Sequence, residues 1–307
     1  MHQNNEDMKY IQYPIPNNCK TSINKIWIAY GKYETIIREI GPNTNLSIIF
    51  HINQPAEYKI MDKKDISEKG KTIDSIMQEV SSNTNQIQFA TIGPHKEIIT
   101  EISHNELCIL GIELKTGLNQ CLNGIKINEA TGNVINLENC NCGFFISLAD
   151  RLKNQNIEDC PAIAIEYLND YIEPVIEDSQ MLEILETVRE NPFKSNIQEL
   201  SIEYHRGIRQ FNRLFKQLAG LSPKQFAMIE KMWKVIDYMK NDPDLTLQQI
   251  SETTGYYDQS QMNRDFKILG GITAKIVHDN LKNRIIHNSA PMGLNFISKE
   301  VLGVNLL

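Results

Sequence analysis

Hydrophobic and polar positions change rhythm twice along this chain. Between residues 23 and 114 the apolar residues come in short runs, dense in Ile, Phe and Tyr and broken by turn residues, which predicts strands. The runs are 25–30, 34–40, 46–52, 58–61, 87–92, 97–102 and 107–114, with Gly31, Gly41-Pro42-Asn43 and Gly93-Pro94 between them. The 58–61 run is expected to pair with 46–52. Seven short strands at this spacing predict an antiparallel β-barrel or sandwich of cupin-like shape. Residues 62–85 are charged and polar and read as a long hairpin excursion.

From about Thr116 the period becomes helical. Residues 121–123 and 134–137 read as short helical or loop pieces, and 144–153, 162–172 and 181–189 as amphipathic helices. The stretch 191–195, Asn-Pro-Phe-Lys-Ser, reads as a boundary. Beyond it come predicted helices at 196–204, 208–218, 223–241, 246–253 and 259–269. Ser222-Pro223 starts the long one by a cap and a first-turn proline, and Asp258 caps the last. Gly220 and Gly271 stop two of them. The fold class is therefore α+β, a β-rich region (23–115) and helices (116–190) followed by an all-α domain at 191–287. Residues 288–307 read as a loose tail.

The all-α part contains an internal repeat. Shifted by 51 residues, Met262, Asn263, Arg264, Phe266 and Lys267 fall on Phe211, Asn212, Arg213, Phe215 and Lys216, and the match runs through the following glycine break. In each copy the aromatic and aliphatic residues form one stripe. The opposite face carries guanidinium, ammonium and amide groups and no acid, a chemistry suited to phosphates and base edges.

Charge sharpens this division. The net charge of the chain is −7. Residues 1–190 hold 16 Lys and Arg against 27 Asp and Glu, whereas residues 191–287 hold 14 against 10. An acidic half joined to a basic half suits a nucleic-acid binder with a second domain of other purpose. No apolar run approaches a membrane span, and the first residues lack a basic, then apolar leader, so a cytoplasmic protein is expected. Six cysteines, at 19, 108, 121, 140, 142 and 160, are expected as thiols. Cys140 and Cys142 supply only half of a tetrahedral metal site. His51, His95 and His104 lack the close spacing of a cupin metal centre, so no metal, cofactor or catalytic residue is expected.

At the repeat the chain resembles the AraC/XylS family of bacterial transcription regulators. Gly255-Tyr256-Tyr257-Asp258-Gln259-Ser260-Gln261-Met262-Asn263-Arg264-Asp265-Phe266-Lys267 is similar to the family's second helix-turn-helix unit. Arg213-Leu214-Phe215-Lys216 followed by Gly220-Leu221-Ser222-Pro223 is similar to the end of its first. Departures are His205 and Gly207 in the first turn, Gln261 where histidine is common, and Ala274 where proline is common. The resemblance covers 191–287, and more loosely 23–190.

It implies a sequence-specific regulator that binds double-stranded DNA, reading two successive major-groove segments. The contact residues would be Arg209, Asn212, Arg213 and Lys216 in the first unit and Gln259, Ser260, Asn263, Arg264 and Lys267 in the second. Residues 1–190 would be a sensory or dimerisation domain. RNA polymerase, a small-molecule effector and a second copy of the chain are compatible partners; a membrane is not. Two other readings stay open: a protein-binding or ligand-sensing module with a degenerate first unit, and an enzyme in the β-rich half.

Overall fold

A computed structural model describes residues 9–17, 23–60, 86–116, 127–139, 143–171, 178–282 and 293–298. The 62–85 excursion, the 121–123 piece and the Cys140/Cys142 pair lie outside the described residues.

The first half is an open antiparallel sheet. Its backbone is the pairing of β2 (Ile23–Ile40) with β7 (Ile99–Leu114), two long strands in register from Ile23↔Leu114 to Ile40↔Ile99. Each merges two runs that the sequence separates. Gly31 sits within β2 opposite Leu107, and a register irregularity between Lys32 and Thr35 absorbs the bend, so the chain crosses the expected breaks without leaving the sheet. The order is β1 (Lys9–Tyr13), β2, β7, β3 (Leu46–His51), β6 (Phe89–Ile92), β8 (Val134–Asn136). Among the described residues β1 and β8 remain as edges, so the sheet does not close into a barrel.

Three local expectations are corrected. Strand β4 (Ala56–Ile60) pairs with β5 (Gln86–Ile87) and β7, not with the 46–52 strand, whose two edges are already taken by β6 and β7. Residues 134–136 are a strand and 137–139 a 3-10 turn, because β6 offers a free edge there. Within the stretch read as tail, β9 (Gly293–Ser298) pairs with β2.

Both faces of the central strands are buried, which is why they read as apolar runs rather than as strict alternation. On one face Ile26, Ile28, Ile48, Phe50, Leu110 and Ile112 pack beneath the helices α2 (Gly143–Leu152) and α3 (Cys160–Tyr171). On the other, Trp27, Ala29, Ile49, Ala90, Leu107 and Ile109 form a second cluster. Gly111 is opposite Trp27, and a Cβ there would stand 2.1 Å from the indole, so glycine lets the ring lie across the strand. A short helix, α1 (Ile127–Ala130), leads into β8.

The second half is helical: α4 (Ser179–Glu190), α5 (Ile197–Glu203), α6 (Ile208–Ala219), α7 (Pro223–Asn241), α8 (Leu247–Thr254), α9 (Gln259–Gly270) and α10 (Ala274–Lys282). One core runs through them, from Met181, Ile184, Leu185 and Val188 to Phe211, Phe215, Phe226, Met262 and Phe266. Helix α4, read from sequence as part of the first domain, packs in this core.

A half-buried polar network joins the halves. Arg189 on α4 donates from Nη2 to Asn45 Oδ1 (3.0 Å) and Thr116 Oγ1 (2.7 Å), and from Nε to Glu230 Oε1 on α7 (3.4 Å). Its Nη1 donates to Glu186 (2.6 Å). Thr44 Oγ1 donates to the same Glu230 oxygen. Asn45 Nδ2 in turn donates to Glu113 Oε2 (3.2 Å) at the end of β7. Trp233 Nε1 on α7 donates to the Pro42 carbonyl (2.7 Å). The 42–45 loop that makes these contacts is held from behind by His95, whose backbone exchanges both hydrogen bonds with Asn43 (2.9 and 2.8 Å). His95 Nδ1 lies 2.8 Å from the Gly93 carbonyl.

Candidate nucleic-acid interface

Two helix pairs, α5–α6 and α8–α9, flank the long α7. Each first helix starts on a side-chain cap. Asn196 accepts from the Gln198 N–H, and Thr246 forms a reciprocal box with Gln249. Ser222 and Gln225 form another box at the start of α7, with Pro223 in its first turn. Helices α6 and α9 both end on left-handed glycines, Gly220 at φ +75° and Gly271 at φ +69°.

The outward faces match the sequence-predicted set unevenly. In α6, Phe211, Phe215 and Ala219 point into the core, while Arg209, Asn212, Arg213 and Lys216 are all exposed, spaced to share one face. Arg213 Nη1 donates to Gln217 Oε1 (3.2 Å), a bond between two exposed side chains. In α9, Met262, Phe266 and Leu269 are buried, and Ser260, Arg264 and Lys267 are exposed. Gln259 and Asn263 are half-buried, and Asn263 Oδ1 is shut off from solvent with no hydrogen-bond partner among the described residues. Thus seven of the nine present their side chains freely and two sit at the edge of the face.

The turns differ more than the faces. In the second pair, Gly255 takes the left-handed conformation at φ +84°, and Asp258 accepts from Gln261 N–H (2.7 Å) to start α9. Tyr256 is buried behind that turn against Phe193, ring centroids 5.2 Å apart. Its hydroxyl donates to Asp265 (3.2 Å). Burial pushes the Asp265 carboxyl above the usual carboxylate range, opposed by the Tyr256 bond and by Lys231, Arg264 and Lys224. In the first pair a histidine, His205, is left-handed at φ +54°, and Gly207 starts α6 with no side-chain cap.

Contacts from outside hold the first pair instead. Tyr204 donates to Asp178, the cap of α4, and Gln180 Nε2 donates to the Glu203 carbonyl (3.1 Å). Burial first, and then the Asp178 bond, push the Tyr204 phenol up to about 12. Helix α1 packs against α6, and a Cβ on Gly220 would stand 2.2 Å from Thr131 Oγ1. Sequence reasoning missed these partners, since nothing in the pattern marks residues 127–131 as neighbours of 220.

Elsewhere the described residues offer little reactive chemistry. They hold no group of three or more His, Cys, Asp or Glu side chains able to hold a metal. His51 and Glu101 are buried with Nε2 and Oε2 3.8 Å apart, and Tyr58 lies 2.7 Å from the same nitrogen. Cys108 and Cys160 are buried free thiols; burial raises the first to about 12 and the second to about 11, away from the thiolate a nucleophile needs.

Two short helix pairs are bridged by one long helix, and α6 and α9 each bury an apolar stripe and expose cationic side chains on the other face. The family described as "Helix-turn-helix domain" matches residues 200–277, and this stretch is a helix-turn-helix domain of the AraC type. Among solved structures the chain is similar to ToxT from Vibrio cholerae, at 12% identity over 85% of this chain and 98% of that one, TM-score 0.44. ToxT bound to (E)-4-(8-methylnaphthalen-1-yl)but-3-enoic acid is similar at 11% identity over 85% and 99%, TM-score 0.45. The AraC-like transcriptional activator CuxR is similar at 10% identity over 68% and 76%, TM-score 0.24. No curated protein matches the chain.

Proposed function

We propose that this protein is a sequence-specific transcription regulator that reads two successive major-groove segments on one face of the duplex. The carrying observation is the pair of exposed cationic faces on α6 and α9, set at the two sides of α7 by one continuous core. Helix α6 offers Arg209, Asn212 and Arg213 to base edges and Lys216 to a phosphate. Helix α9 offers Gln259, Ser260, Asn263 and Arg264 to bases and Lys267 to a phosphate. A bidentate arginine–guanine pair discriminates by roughly 1–3 kcal/mol. Two reading helices on one face would engage grooves one helical turn apart, about 34 Å.

The sheet-bearing half is the regulatory half in this reading, with the junction placed before α4, since α4 packs with the reading domain. Through Arg189 and Trp233 it grips α7, the element that spaces the two reading helices. It carries no proposed catalytic role: its described thiols, Cys108 and Cys160, are buried and driven towards the protonated form.

The test is selection of bound fragments from random duplexes by the full-length protein, repeated with Arg213→Ala and Arg264→Ala. The expected result is a motif of two blocks whose centres lie about one helical turn apart, each variant relaxing one block. Affinity should fall steeply with salt, as counterion release requires. Absence of any enriched sequence at low salt would leave the domain as a protein-binding module and refute the proposal.

A further inference from the structure

The two proposed reading faces agree at their asparagine, arginine and lysine and differ at their first two positions. With the 51-residue offset, Arg209 pairs with Ser260, Asn212 with Asn263, Arg213 with Arg264 and Lys216 with Lys267. Gln259, which opens α9, falls on Ile208, which opens α6. Ile208 is 41% exposed, outside the buried stripe of Phe211, Phe215 and Ala219 that anchors its helix. It lies one turn ahead of Asn212 on the same side of the helix.

Local structure gives no reason for an isoleucine there. β-Branched side chains are no better than average in helices, and α6 receives no side-chain cap from Gly207 that an apolar neighbour would support. What the position offers is a branched hydrocarbon beside arginine and asparagine, on a face whose other members suit a polar groove. The apolar feature of a major groove is the 5-methyl group of thymine.

We propose that Ile208 reads a thymine 5-methyl group in the block bound by α6, while Gln259 at the matching position reads an adenine edge in the block bound by α9. This rests on the DNA-reading proposal above and deepens it. Its consequence is that the two units, although repeats, do not read repeated sequences. At the step contacted by the first residue of each reading helix, one block carries thymine and the other adenine.

The experiment starts from the duplex selected by the full-length protein, with blocks assigned by Arg213→Ala and Arg264→Ala. Each thymine of the α6 block is replaced in turn by deoxyuridine, which removes the methyl group and nothing else. One replacement should weaken binding of the wild type about fourfold, the effect of one buried methyl-sized group. Ile208→Ala should bind the thymine and uracil duplexes equally. Ile208→Gln should move the preferred base at that step from thymine towards adenine. Ile208 lies outside the core, so both variants should keep the wild-type thermal melt.

Equal binding of thymine and uracil duplexes by the wild type at every thymine of the block overturns the inference. So does thymine sensitivity that survives in Ile208→Ala. Both results leave the two-block reading standing. Failure to enrich any sequence overturns that reading, and this inference with it.

Discussion

The two helix pairs proposed to read DNA carry similar exposed polar residues on differently built frames. The second is specified by its own sequence: Gly255 supplies the left-handed turn, Asp258 the cap, and Tyr256 a plug anchored to Asp265. The first has a left-handed histidine and an uncapped glycine in the corresponding places. What its turn lacks is supplied by neighbours: α4 through Asp178 and Gln180, and the sheet-bearing half through Thr131 and Ile127. One turn is thus held mainly by its own residues and the other by what lies against it, which in the proposed function makes the first unit the point of control.

Removing Arg189 should disturb the comparison most. It leaves the Glu230 carboxylate buried without its cation, although burial already pushes that carboxyl upward. Breaking a buried pair from one side costs about 3–5 kcal/mol, and the residual exposure of this one places Arg189→Ala near about 3 kcal/mol by denaturant unfolding. Glu230→Gln, which removes the charge and keeps the shape, should cost less.

A pair of glycines separates the frames more finely. Gly255→Ala meets only Phe193 Cβ, at 3.7 Å, and should cost the left-handed penalty of about 1–2 kcal/mol. Gly220→Ala carries that penalty and also drives a methyl into Thr131, whose hydroxyl donates to the Ile127 carbonyl (2.6 Å). It should cost measurably more. Equal costs would mean that the sheet-bearing half does not brace α6.

Cap changes should run in opposite directions in the two units. Asp258→Ala should lose about 1 kcal/mol by thermal or chemical unfolding, as a lost cap does. Gly207→Asp should gain a few tenths, and His205→Gly should gain up to about 1 kcal/mol by relieving its positive φ, less the entropy that glycine loses on folding.

The smallest effect expected is one of pH. Burial holds the His95 imidazole below its ordinary 6.5, so the folded chain keeps it neutral. As pH falls below about 6.5 the unfolded chain takes up a proton that the folded chain refuses, and stability drops. Glu230 acts oppositely: with its pKa raised above 4.5, its contribution is complete below 4.5 and is lost as pH rises through the folded value. Stability measured between pH 7 and 5 should therefore fall less in His95→Gln than in the wild type.

Much of this was legible in the sequence, because helices announce themselves locally. The caps Ser222 and Asp258, the glycines 220 and 271, and the 51-residue repeat are short-range signals, and α5 to α9 lie where they place them, whereas α10 was not expected and α4 was assigned to the other half. The sheet was legible in its strands and not in its pairing. Nothing local says that β4 joins β7 rather than β3, or that β2 crosses Gly31 unbroken. The junction was least legible: Arg189, Asn45, Thr116 and Glu230 are 41 to 185 residues apart and look like ordinary surface residues until the fold brings them together. At the reading faces, residue types were visible, but the half-burial of Gln259 and Asn263 was not.

The most direct test is a hydroxyl-radical footprint of full-length protein on its selected duplex, with wild type and Arg189→Ala compared at a temperature where both are folded. The account predicts two protected segments about one helical turn apart for the wild type. It predicts that Arg189→Ala keeps the segment assigned to α9 and loses the one assigned to α6. A single wild-type segment, or equal loss of both in the variant, would contradict it.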